Sequence, residues 1–131
     1  MIFIDTGGWY ALVVPSSPEH QPMRSWYRAN RQRLITTDYV LDETLTLLRA
    51  RRRNDRAMAV GRALLDGALA MVHKVEAVDV AGAWDVFSRF SDKDWSFTDC
   101  VSYVVIQRLG ITTAVSFDHH FKQFGTVAVV P

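Results

Sequence analysis

Cys100 is the only cysteine in 131 residues, which excludes an intramolecular disulfide and a cysteine-built zinc site. Its place in the first turn of an apolar helix makes it a small core residue. Long apolar runs are missing too: none approaches the roughly 18 residues of a membrane span, so no membrane association is expected. The opening Met1-Ile2-Phe3-Ile4-Asp5 has no basic segment and meets an acid at once, which argues against a secretory signal and for a cytoplasmic location. The 4 prolines and 7 glycines form no linker, and neither repeats nor low-complexity tracts occur. A chain of this length, 49% hydrophobic and 22% charged, reads as one soluble domain over residues 1–131.

A dominant charge is also lacking. The balance of 15 Lys and Arg against 14 Asp and Glu, net +1, does not announce a nucleic-acid binder. The distribution does more. Nine of the 15 basic residues fall between Arg24 and Arg56, five of them (Arg49, Arg51, Arg52, Arg53, Arg56) in one bend. Acids dominate from Glu76 to Asp99. Such an asymmetry suits a site where metal-loaded carboxylates face a phosphate chain held by arginines, although a charge run is more often a solvated helix face.

Short apolar strands alternate with amphipathic helices along the chain. Strands are predicted at residues 1–4, 34–36, 71–75, 112–117 and 126–130, and helices at 9–14, 19–30, 39–51, 54–69, 80–90 and 97–109. Thr6-Gly7-Gly8 reads as a turn, Asp79 as a helix cap, and Gly110 as the left-handed residue that ends a helix. The alternation specifies a three-layer α/β/α sandwich around a mainly parallel sheet of four or five strands. His73, inside a strand, reads as structural. Trp95 reads as a lid over the core rather than a base-stacking platform.

Acids recur at the places such a fold uses for ligands. Asp5 and Asp118 each end a strand, and open parallel sheets bind ligands beyond the strands' carboxyl ends. Glu43 lies three residues after Val40 and four before Leu47, close to the buried side of its helix, where a lone carboxylate needs a partner. Asp99 follows Ser96 by three residues in SDKDWSFTDC, the form of a capping box, with Asp94 and Asp92 just upstream. Carboxylates brought together would repel and raise one another's pKa, a penalty that a cation removes. All-oxygen donors favour Mg2+ or Mn2+ over zinc.

Asp5 in FIDTG, Glu43 in DYVLDETLTLL, Asp99 in SFTDCVSY and Asp118 in AVSFDHHF resemble, in order and spacing, the four acidic motifs of PIN-domain nucleases. The likeness covers nearly the whole chain and is strongest to the VapC-type ribonuclease toxins of toxin-antitoxin systems. It implies a PIN-like fold and endonucleolytic cleavage of RNA with Mg2+ or Mn2+, through a metal-activated water. It further implies Asp5, Glu43, Asp99 and Asp118 as metal ligands, and Asp94 as an additional acid upstream of the third motif, with Asp92 competing for that place. A homodimer and a VapB-like antitoxin whose C-terminal segment occupies the groove are implied as partners. Thr6, Ser96, Thr98 and Ser116 are candidate supporting hydrogen-bond donors. Trp9, Tyr10, Trp26 and Tyr27 form an apolar stock suited to an interface. A haloacid-dehalogenase-like phosphatase would need a second aspartate at position 7, which is glycine. The remaining alternative is a non-catalytic RNA-binding or interaction module of the same fold.

Overall fold

A computed structural model describes all residues, Met1 to Pro131. The elements run β1 (Ile2–Ile4), α1 (Thr6–Val13), α2 (His20–Ala29), β2 (Leu34–Thr37), α3 (Asp38–Ala50), α4 (Asn54–Leu65), β3 (Met71–His73), α5 (Ala77–Arg89), α6 (Phe97–Arg108), β4 (Thr113–Val115), α7 (His119–Gln123) and β5 (Ala128–Val130). The five strands form one sheet in the order β3-β2-β1-β4-β5, and every pairing is parallel. Ile2, Phe3 and Ile4 are all buried, as a central strand covered on both faces requires. From β1 the chain moves outward through β2 and β3, then returns to place β4 on the other side of β1. That reversal makes the β1/β4 boundary the topological switch point, where crevices open in such sheets.

Where the elements depart from the sequence reading, a local interaction explains the shift. Helix α1 starts at Thr6 because Asp5 caps it, its carboxylate accepting from the Gly8 N–H at 2.8 Å. Gly8 is there for close approach rather than for a turn: a Cβ would lie 2.8 Å from Ile4 Cγ2 and 3.2 Å from Val115 Cγ1. Strand β3 stops at His73 since the Val75 N–H donates to Asp38 Oδ1 at 2.9 Å instead of to the ladder. Helix α4 ends at Leu65 instead of reaching residue 69, and Gly67 then turns the chain with φ +79°. Glu76, not Asp79, is the N-cap of α5.

Asp79 has a different task. It is fully buried, and Arg108 grips it through Nε to Oδ1 at 2.7 Å and Nη2 to Oδ2 at 3.0 Å. The Glu76 N–H and the His73 ring reach the same carboxylate at 2.9 and 3.1 Å. Arg108 hydrogen bonding holds the Asp79 pKa far below the usual carboxylate range. His73 is thereby tied into a structural ion network.

Trp9 is completely buried, its indole N–H donating to Thr36 Oγ1 at 3.3 Å, so it belongs to the core and not to an interface. Large apolar side chains are exposed elsewhere, among them Met58 and Leu65 on α4 and the stacked pair Trp84 and Phe87 on α5. Trp95 is buried among Phe90, Tyr103 and Phe124 and donates to Gln123 Oε1 at 2.9 Å, in keeping with a lid over the core. Burial pushes the Cys100 thiol up to about 11, which leaves it unreactive at neutral pH. No helix is long and apolar enough to cross a membrane.

Candidate metal centre

Asp5, Glu43, Asp99 and Asp118 line one cleft of about 220 Å3, together with Thr6, Gly7, Val40, Leu47, Thr98 and Ser102. It opens at the carboxyl edge of β1 and β4, and no lysine or arginine lines it. Each acid arrives by a separate piece of local chemistry. Asp5 ends the central strand and is only 7% exposed, with one oxygen on the Gly8 N–H and the other accepting from Ser116 Oγ at 2.6 Å. Glu43 accepts from Thr6 Oγ1 at 2.6 Å, a bond that ties α3 to α1. Asp99 completes the capping box: its N–H donates to Ser96 Oγ, and its Oδ2 accepts from the Ser96 N–H, both at 3.1 Å. Asp118 caps the short helix α7, accepting from the His120 N–H at 2.9 Å, while its own N–H donates to Ser116 Oγ at 3.1 Å.

Cap and cleft duties therefore coincide at Asp5, Asp99 and Asp118, since helix N-termini placed at the sheet edge present N–H groups that hold a carboxylate in position. Holding them together has an electrostatic cost. Burial, aided by the charges of Asp99 and Asp118, pushes the Asp5 pKa from 3.8 up to about 7. Asp99 is raised as well, chiefly by burial.

Two residues of the cleft region were missed from sequence. His120 Nδ1 sits 2.9 Å from Asp99 Oδ2 and 3.2 Å from Asp118 Oδ1, bridging the two acids. The signal was weak, because α7 is five residues long and shows no periodicity. Ser102 is 1% exposed, lines the cleft and has an Oγ with no partner in the protein. Its spacing of three from Asp99 on one helix face was the available clue.

Asp94 is not brought to this cleft. It is exposed on the α5-α6 loop and lines a separate hollow with Phe87, Phe90, Ser91, Lys93, Trp95 and Cys100. The loop is anchored by burial of Trp95, the next residue, and this leaves the Asp94 carboxylate on the hollow's side. Asp92 is also exposed and pairs with Lys93 at 3.6 Å.

The donor set fits a hard cation. Carboxylates with hydroxyls at Thr6 and Ser102 offer oxygen alone, and the buried Ser102 hydroxyl, like that of Thr44 outside the cleft, has no partner in the protein. Potential ligand atoms gather within 4.8 Å of one another in two other groups, Asp118-His119-His120 at the cleft rim and His73-Glu76-Asp79. Arg108 already neutralises the second group. The wider spacing of the four cleft carboxylates suits a cation that keeps several waters.

A parallel α/β sheet with hard-oxygen carboxylates gathered at its switch point is a build suited to metal-assisted chemistry on phosphate esters. The PIN domain model matches residues 2–127. VapC20 of Mycobacterium tuberculosis, a 23S rRNA-specific endonuclease, is 33% identical over 131 residues, which is 100% of this chain and 99% of VapC20. A VapC ribonuclease of Archaeoglobus fulgidus is 33% identical over 91 residues, covering 69% of this chain and 56% of that protein. The crystal structure of VapC20, described as a sarcin-ricin loop cleaving toxin, superposes with a TM-score of 0.93 at 30% identity, with both chains covered completely. FitAcB of Neisseria gonorrhoeae, at TM-score 0.71, 13% identity and coverage of 100% and 97%, shares the fold. The chain belongs to the PIN-domain family, in its VapC group of ribonuclease toxins.

Proposed function

We propose that this chain is a Mg2+- or Mn2+-dependent endoribonuclease, the toxin of a type II toxin-antitoxin pair, with Asp5, Glu43, Asp99 and Asp118 holding the ion. The observation that carries the reading is the shared cleft of four carboxylates, which no lysine or arginine neutralises and which contains an unpartnered buried hydroxyl. When bound, a divalent ion lowers the pKa of a coordinated water and offsets charge on the phosphate. The chain's own residues do the positioning. Thr6 fixes the Glu43 rotamer, Ser116 and the Gly8 N–H aim the two Asp5 oxygens, and the Ser96 cap with His120 orients Asp99. Asp94 stands outside this set, as the lining of its hollow argues.

The full-length likeness to VapC20 makes a structured ribosomal RNA the first substrate to try. A VapB-like antitoxin would inhibit by occupying the same cleft. We further propose a homodimer, for which the exposed Trp84 and Phe87 on α5 offer apolar area.

Incubation of purified protein with RNA carrying the sarcin-ricin loop, with Mg2+ or Mn2+ and with or without EDTA, tests the activity. Discrete cleavage that EDTA abolishes and added metal restores is expected. Binding without cleavage in any metal would point instead to a non-catalytic RNA-binding module. Sedimentation of the same preparation reads the assembly: a mass twice the 14.9 kDa chain supports the dimer, and a single-chain mass at micromolar concentration refutes it.

A further inference from the structure

Four arginines at the α3-α4 turn meet no carboxylate. Arg49 Nε donates to Asn54 Oδ1 at 3.0 Å, Arg51 lies over the Tyr10 ring at 4.9 Å, and Arg53 Nη2 donates to Ser16 Oγ at 2.9 Å. All three partners are uncharged. Arg52 is exposed, and its side chain makes no hydrogen bond or ion pair. A cation near a helix C-terminus is ordinary, since the dipole favours one there. That accounts for Arg49 and Arg51 but not for the backbone beneath Arg52.

Helix α3 ends in a Schellman arrangement, with the Arg53 N–H on the Leu48 carbonyl at 2.8 Å and the Arg52 N–H on the Arg49 carbonyl at 3.0 Å. The residue at its centre must be left-handed, and Arg52 has φ 58°. Every other positive-φ position in the chain, 67, 110 and 125, is glycine. Arginine in this conformation is strained where glycine would not be, and such strain at an exposed site points to use of the side chain.

The turn is tied to the acidic cleft. Helices α1 and α3 lie side by side, joined at the cleft by Thr6 to Glu43 and at the far end by Tyr10 to Arg51. Arg51, the C-cap of α3, lies eight positions beyond Glu43, about 12 Å along the helix. Stacked nucleotides advance about 3.4 Å each, so this is the reach of three or four nucleotides. A polyanion entering a cleft lined with carboxylates needs compensating cations beside it, and this turn supplies four.

We propose that the Arg49–Arg53 turn is a phosphate-binding subsite for the RNA strand flanking the scissile bond, with Arg52 held in its strained conformation for this purpose. The proposal rests on the ribonuclease reading above, and its test separates the two. Cleavage of a structured RNA and of a dinucleotide, whose single phosphodiester is too short to reach from the cleft to the turn, is measured in wild type, Arg52→Gly and Arg52→Gly/Arg49→Gln. Arg28→Gln/Arg33→Gln serves as a control, because those arginines line a hollow at the amino ends of β1, β2 and β3, the opposite edge of the sheet.

On the long RNA, kcat/KM is expected to fall about fivefold in Arg52→Gly and further in the double variant, with the logarithmic salt slope shallower by about 0.7 per lost contact. The dinucleotide rate and the control are expected to stay at the wild-type level. The melting temperature of Arg52→Gly should equal or exceed that of wild type, so a loss of affinity cannot be ascribed to unfolding. Unchanged kcat/KM and salt slope on the long RNA would overturn the subsite, and retained RNA cleavage with loss of antitoxin affinity would reassign the turn to the protein partner. If wild type cleaves neither RNA, the ribonuclease reading itself has failed.

Discussion

Asp99→Asn is expected to lower kcat for RNA cleavage by about a thousandfold or more, the loss of some 4 kcal/mol of transition-state stabilisation, while leaving the fold intact. Two roles meet in this side chain. As a cap it accepts from the Ser96 N–H at 3.1 Å, and as a cleft residue it faces Asp5, Glu43 and Asp118. Asparagine retains an oxygen for the cap and for His120, while it removes the charge and turns the other oxygen into an N–H donor that cannot ligate a cation. Ser96→Ala makes the reverse separation, removing the hydroxyl that accepts from the Asp99 N–H and keeping the carboxylate. It should lower stability by about 1 kcal/mol and leave kcat within a few fold. Rapid-quench cleavage assays with thermal melts on both variants decide the matter. Full activity in Asp99→Asn would reduce Asp99 to a cap and remove one wall of the site.

The second large effect concerns pH. Asp5 has its folded-state pKa raised from 3.8 to about 7, mainly by burial. Below about pH 4 both folded and unfolded chains hold the proton, so the group contributes nothing. As pH rises toward 7 the unfolded chain releases its proton while the folded chain keeps it, so the folded state binds more protons and stability falls. At about 1.4 kcal/mol per pH unit the loss is of the order of 4 kcal/mol, complete above pH 7. Asp99 is raised too, and adds to the loss in the same direction. Asp79 is lowered, so its contribution is lost only as the medium becomes strongly acidic, outside this window. In EDTA the melting temperature should therefore drop between pH 5 and pH 7.5. Added Mn2+ should restore it, increasingly so at the higher pH, because the ion competes with the proton for the carboxylates. Asp5→Asn should be flatter with pH, more stable than wild type in EDTA at pH 7.5, and inactive. A wild-type melting temperature independent of pH over that range would contradict the electrostatic cost assigned to the cleft.

Much of this arrangement was legible in the residues. Asp5 and Asp118 could be placed at one edge because each directly follows an apolar strand or its last turn, and parallel strands end on the same side. Glu43 could be singled out because its spacing from Val40 and Leu47 put a charge beside a buried stripe, and all three line the cleft. Other features depended on tertiary contacts that no local pattern encodes. Asp94 has the composition of a fifth acid, but the burial of Trp95 determines where its loop goes. His120 depends on a five-residue helix, and Ser102 on the absence of a partner, which only packing reveals. Asp79 looked like a simple cap until Arg108, 29 residues later, closed on it. Trp9 was misplaced to the surface because its neighbours Gly7 and Gly8 read as a turn, whereas Gly8 lets α1 press against β1 and β4.

The most direct test of the metal centre is an anomalous difference map from a crystal soaked in Mn2+, collected for wild type and for Asp5→Asn. Density in the cleft bounded by Asp5, Glu43, Asp99 and Asp118, weakened or lost in the variant, is the expected result. Manganese confined to the rim group Asp118-His119-His120 or to His73-Glu76-Asp79, with an empty cleft at saturating ion, would contradict it.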